Sequence, residues 1–204
     1  MTAQGRDLSR EGVAAVASST VLGVDAGPER SGWVLYDPGA RKVLDHGEIS
    51  NWQLVLNFAG RSSSRTEADR LALEGFSPYG ARLGRESLET IKALGWFEAA
   101  WMLAGRGPVV TIERPTIKQA LCDSRTANDA AVRDALIHRF GPGRERAIGG
   151  VACRRCKGKG TYKRLTCESC NGARWLHPPG RLHGIRSHRW AALAVAVVAG
   201  EVPT

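Results

Sequence analysis

The segment TVLGVDAGPERSGWVLYDPG, Thr20–Gly39, narrows the choice of fold more than any other stretch of this chain. Val21, Leu22 and Val24 make a short buried strand, Asp25 closes it, and Gly27-Pro28 turns the chain. Gly32 and the run Trp33–Tyr36 form the returning strand, so the segment is a hairpin with one carboxylate at its end. A carboxylate ending a central strand, beside a glycine whose missing side chain admits another backbone or a phosphate, suits a divalent cation or a phosphodiester. An acidic turn residue ahead of Gly-Pro accounts for the segment equally well. The rest of the chain has to separate the two.

With 204 residues the chain can bury a real core and still carry an insertion. Its net charge of +9 and pI near 9.8 favour a polyanionic partner, because each Lys or Arg that neutralises a phosphate releases counterions. The basicity is local. Between Cys153 and Arg189 lie Arg154, Arg155, Lys157, Lys159, Lys163, Arg164, Arg174, Arg181 and Arg186, against the single acid Glu168. The longest apolar run, Trp190–Ala199, falls short of the roughly 20 residues a membrane span needs, so no membrane partner is expected. Gly12–Gly23 faintly resembles a signal-peptide core, but its leader carries mixed charge and cleavage there would trim the first strand. Residues 1–18 are therefore expected to be a flexible tail and the protein to be cytoplasmic.

Along the chain, Arg41–Asn51 reads as a third strand, followed by a polar loop with the serine run Ser62–Ser64. RLALEGF is a short strand whose interior charge is Glu74. Arg85–Gly105 is the strongest helix, with Leu88, Ile91, Leu94, Phe97, Trp101 and Met102 at helical spacing. Pro108–Glu113 reads as a buried strand and Arg114-Pro115 as a turn. A second helix covers Thr126–Phe140, with Asn128 or Thr126 as cap and Gly141-Pro142-Gly143 as stop. Ser187–Glu201 is a last, almost wholly apolar helix. Three antiparallel strands, then strand–helix–strand–helix and a final helix, predict an α/β fold with a mixed sheet.

In that order, VLGVDAG, LALEG, VVTIERPTIKQAL and HRWAALAVAV resemble the RuvC-like Holliday-junction resolvases of the RNase H-like superfamily. Phage-encoded members are more similar still, around EGFSPYGARLGRESLETIKALGWFEAAW and IKQALCDSRTANDAAVRDALIHRFG. The resemblance implies a mixed five-stranded sheet flanked by helices, a two-fold dimer, branched DNA as partner and Mg²⁺ or Mn²⁺ as cofactor. Asp25 matches the first-strand aspartate that bridges the cations, Glu74 the glutamate of the adjacent strand, and Lys118 a lysine near the scissile phosphate. His188 falls where relatives carry an aspartate or a histidine at the start of the last helix. One turn later many bacterial members carry a further acid where this chain has Ala191; Asp129 is a candidate replacement. Glu113 rivals Glu74 on sequence alone, since VVTIE also ends in a carboxylate, but the family register points it away from the cations.

The five cysteines include two C-x-x-C pairs, Cys153/Cys156 and Cys167/Cys170, ten residues apart. Four thiolates on two tight turns suit tetrahedral Zn²⁺. Each pair is followed by a turn, KGKGTY and NGARW, which resembles two of the CxxCxGxG units of DnaJ-type zinc domains. With Leu165, Trp175 and Leu176 as its main apolar residues, the segment needs the metal to fold. Cys122 stands alone and reads as a small core residue.

These readings give residues 19–141 and 184–204 as an RNase H-like core and residues 142–183 as a zinc-binding insertion. The basic residues Arg154, Arg155, Lys157, Lys159, Lys163 and Arg164 are candidates for DNA contact. The expected activity is two-metal endonucleolytic cleavage of branched DNA. The alternatives are a junction-binding protein that does not cut and a zinc-stapled protein-interaction factor.

Overall fold

The computed structural model describes residues 19–61, 66–77 and 83–201; the expected tail and the serine run Ser62–Ser64 lie outside them. In chain order the elements are β1 (Val21–Asp25), β2 (Arg30–Asp37), β3 (Lys42–Ser50), α1 (Asn51–Phe58), β4 (Arg70–Gly75), α2 (Arg85–Leu103), β5 (Val109–Glu113), α3 (Arg114–Cys122), α4 (Asp129–Phe140) and α5 (Arg144–Ala147). Four short strands follow, β6 (Val151–Ala152), β7 (Thr161–Tyr162), β8 (Leu165–Thr166) and β9 (Trp175–His177), before α6 (Arg189–Glu201). The main sheet has five strands in the order β3-β2-β1-β4-β5. β1, β2 and β3 pair antiparallel, whereas β4 and β5 add in parallel on the other side of β1.

Alternation along the strands assigns each face of the sheet. Leu22 and Val24 of β1 and Leu71 and Leu73 of β4 pack with Leu54 and Phe58 of α1 and with Ala93, Phe97 and Trp101 of α2. Val21 and Ala72 point the other way, into a cluster with α6, Ile117 of α3 and Leu136, Ile137 and Phe140 of α4. A side chain at Gly23 would meet the Ala192 carbonyl at 2.1 Å, so only glycine lets α6 lie this close to β1. By the same period of two, Asp25 and Glu74 belong to the α6 face, at the ends of neighbouring parallel strands whose last paired residues are Val24 and Leu73.

Two helices depart from the sequence reading. NWQLVLNF, expected to be part of a loop, is α1, with the Ser50 hydroxyl accepting the Gln53 N–H at 3.3 Å. Arg114-Pro115, expected to be a turn, opens α3: Pro115 sits in the first turn, where a missing N–H leaves no helical bond unmade. The strand expected to be buried, β5, is the sheet edge and only Ile112 on it is buried. α4 begins at Asp129, capped by Asn128, whose side chain accepts the Ala131 N–H at 2.9 Å. On α2, Phe97 and Trp101 are core, while Leu88, Ile91, Trp96, Met102 and Leu103 stay exposed. Cys122, at the end of α3, is half-buried. Ala147 and Leu182, near the ends of the segment read as an insertion, fill the same apolar cluster as α6.

Candidate active site

The ends of β1 and β4 and the starts of α3, α4 and α6 enclose a cavity of about 430 Å³. Asp25, Glu74, Arg114, Lys118, Asp129 and His188 line it. Gly32, paired with Asp25 across the hairpin, makes room for the last of these. A Cβ there would sit 2.6 Å from the His188 carbonyl carbon, so the glycine admits backbone, one of the two uses its position suggested.

The polar groups form two linked sets. His188 Nδ1 lies 2.9 Å from Asp25 Oδ2. With its proton on Nδ1 the ring donates to Asp25 and keeps the Nε2 lone pair free. Arg114 forks between two carboxylates, one nitrogen on Glu74 Oε1 and the other 2.6 Å from Asp129 Oδ1. The strand-end carboxylates are sheltered, with side chains 16% exposed at Asp25 and 9% at Glu74. Burial raises the Asp25 carboxyl above its ordinary value, although the hydrogen bond and charge of His188 oppose it. Burial also raises Glu74, and the negative charge of Asp25 adds to the effect against the pull of Arg114. For Arg114 itself burial works downward, but Glu74 and Asp129 outweigh it and hold the guanidinium well above its usual range.

Two desolvated carboxylates, Glu74 raised further by the charge of Asp25 and Asp25 by that of Asp129, are hard oxygen donors, which fits a divalent cation. The ligand atoms are paired off rather than gathered into a cage. Among the described residues the four cysteines are the one group of three or more whose ligand atoms all lie within 4.8 Å of one another. Glu113 lies in a different groove, with Phe76, Leu83 and Ile91. The residue that sequence reasoning missed is Arg114. Its signal was the spacing to Lys118, four residues on, which sets both cations on one face of a helix.

Away from this cavity, Cys153 and Cys167 place their sulfurs 3.8 Å apart, and Cys156 and Cys170 3.7 Å apart. Four sulfurs at about 2.3 Å from a tetrahedral zinc stand about 3.8 Å from each other, so the set fits Zn²⁺ as it is. Burial works to raise the Cys156 thiol, but the Gly160 N–H and the neighbouring sulfurs hold it down to about 7. The buried cluster here consists of cysteines alone. Arg154, Arg155, Lys157, Lys159, Lys163 and Arg164 are all exposed, and none of them lines the cavity.

No family model matches the sequence, and no curated protein sequence matches it. Solved structures do. The chain superposes on Thermus thermophilus RuvC with a TM-score of 0.53 over 87% of this chain and 91% of that one, at 18% identity. The fold is that of RuvC. T. thermophilus RuvC in complex with a Holliday junction substrate matches at a TM-score of 0.50 and 17% identity, over 88% and 90% of the two chains. The yeast mitochondrial Holliday junction resolvase matches at 0.44 and 10% identity, over 90% and 86%. On this RuvC fold the sequence reading of Asp25 and Glu74 as neighbouring strand-end acids agrees with their position, and no helix among the described residues is long and apolar enough to cross a membrane.

Proposed function

We propose that this protein is a metal-dependent endonuclease that resolves branched DNA such as four-way junctions, of the phage-encoded type. The observation that carries the reading is the pair of desolvated carboxylates, Asp25 and Glu74, at adjoining strand ends of a RuvC fold, facing a cavity that also holds Lys118 and Arg114. Asp25 and Glu74 are the proposed ligands of Mg²⁺ or Mn²⁺, with His188 and Asp129 beside them. Two such cations would activate water and neutralise the leaving 3′ oxygen. The chain's own groups then have separate tasks. His188 orients Asp25 and offers its second nitrogen as a ligand, Lys118 meets the scissile phosphate, and the sheltered strand ends limit the water around both acids.

The zinc module is proposed to lie in residues 151–177, and its exposed cations to hold a DNA arm. A four-way junction has two strands to cut, which calls for two copies of the site. The exposed apolar residues of α2, Trp96 and Met102 among them, are the proposed seam of a homodimer. One observation favours a second reading, a junction-binding protein that does not cut: Arg114 is already seated on Glu74.

The test is incubation of a synthetic four-way junction with the full chain in Mg²⁺ and in Mn²⁺. Paired nicks are expected, lost in Glu74→Gln and kept in Glu113→Gln. His188→Ala should lose most of the activity in both metals, and His188→Asp should keep it and favour Mg²⁺. Binding without nicks in either metal would select the second reading.

A further inference from the structure

The zinc module carries a feature that metal binding does not require. β7 and β8 pair Thr161 with Thr166 and Tyr162 with Leu165, which leaves Lys163 and Arg164 as a two-residue turn. Both turn residues have left-handed backbone, with φ of 51° and 68°. Such a turn is the favoured hairpin connection, but its preferred residues are Asn-Gly, because side chains with a bulky Cβ strain the left-handed region. Two long cations occupy it instead, at the most projecting point of the hairpin.

The flanking pair is as unusual. Tyr162 and Leu165 are directly opposed and so share one face of the hairpin. Leu165 is 73% exposed, and the Tyr162 ring gathers two cations, Arg155 at 5.2 Å and Lys163 at 5.8 Å from its centre. Seven Lys and Arg in residues 151–177 face one acid, so the charge around this tip complements a polyanion rather than a mixed protein surface.

We propose that the β7–β8 hairpin is a DNA probe: Lys163 and Arg164 hold phosphates while Leu165 wedges against a base whose stacking is interrupted at the branch point. Apolar wedges of this kind elsewhere must pay for unstacking a base step, whereas a four-way junction held open without divalent cations has already lost the stacking at its branch point. Strain kept at the tip is then explained by contact with nucleic acid. The proposal rests on the reading of the chain as a branched-DNA protein, and the experiment separates the two.

The zinc-loaded full chain is titrated, without added Mg²⁺ or Mn²⁺, against a synthetic four-way junction and a linear duplex of equal length, over a range of salt. Lys163→Asn combined with Arg164→Gly supplies the preferred turn, so its zinc content and melting temperature should hold or rise. Its junction affinity should nevertheless drop, with the slope of log K against log salt shallower by about 1.8, equivalent to as much as about 60-fold at 0.1 M relative to 1 M salt. A merely structural hairpin would not lose affinity while gaining stability. Leu165→Thr keeps the turn and a strand-forming residue. It should reduce the preference for junction over duplex by about tenfold and leave the salt slope unchanged. Should the Asn-Gly variant lose its zinc, Leu165→Thr decides the matter. Unchanged junction affinity and slope in the first variant, or an unchanged preference in the second, overturns the hairpin proposal alone. A parent that binds no junction overturns the functional reading itself.

Discussion

If Glu74 ligates a divalent cation as proposed, Arg114 and that cation compete for the same carboxylate. In the structure Arg114 donates to Glu74 and to Asp129, and any cation that ligates Glu74 through the same oxygen must displace it. Breaking a fully buried ion pair costs about 3–5 kcal/mol. Arg114, however, is 37% exposed and Asp129 68% exposed, so water screens much of the interaction and about 1–2 kcal/mol is the appropriate scale. Replacing Arg114 with Gln removes the competitor. Without DNA, the dissociation constant for Mn²⁺ should therefore fall by about 5- to 30-fold, read by isothermal titration calorimetry or by the electron-paramagnetic signal of free Mn²⁺. The metal-free variant should at the same time be less stable by a similar amount, because Glu74 then keeps the raising charges of Asp25 and Asp129 without Arg114 against them. A metal affinity that is unchanged or weaker in Arg114→Gln would refute the argument and make Arg114 a support of the metal site rather than its rival.

Further outcomes follow from packing, protonation and the cysteine cluster. Gly23→Ala should lower stability by about 2–3 kcal/mol, a fall in Tm of about 4–12 °C, because the new methyl meets the Ala192 carbonyl and α6 has to lift. Asp25 and Glu74 have folded-state pKa values above their ordinary ones, so the folded state binds more protons than the unfolded one between those values. Metal-free stability should then fall as pH rises from about 4 through the raised pKa values and level off above them, and Mg²⁺ or Mn²⁺ should restore it at neutral pH more than in acid; thermal melts across pH check both. Cys156→Ser or zinc chelation should abolish hydrogen-exchange protection in residues 151–177 while the main sheet keeps its own, since the buried cluster there is made of cysteines alone.

Much of this was legible in the residues because it depends on short-range pattern. The Val21–Asp37 hairpin, the LALEG strand and the spacing of the cysteines are set by neighbours in sequence and have the places they were expected to have, and of the two candidate caps, Asn128 and Thr126, the helix uses Asn128. Alternation then carries Asp25 and Glu74 to one face without any further information. What escaped depends on position in the whole. NWQLVLNF is too short for a clear helical period, and its helix is fixed by Leu54 and Phe58 packing on α2. Pro115 reads as a breaker until it is known to lie in a first turn. PVVTIE is apolar enough for a central strand, and only the sheet order makes it an edge. Arg114 was missed for a related reason: its partners are 40 and 15 residues away, a separation no local motif reports.

Asp25 in a cutting site and Asp25 on a DNA-holding surface behave differently on a single junction substrate. Parent and Asp25→Asn are compared on one labelled four-way junction, with binding measured without added Mg²⁺ or Mn²⁺ and cleavage measured in each metal. The substitution keeps the size of the side chain and a hydrogen-bonding partner for His188, so the fold should stand. Junction affinity within a few-fold of the parent, with cleavage abolished in both metals, is the expected result. Cleavage at the parental rate by Asp25→Asn would contradict the account.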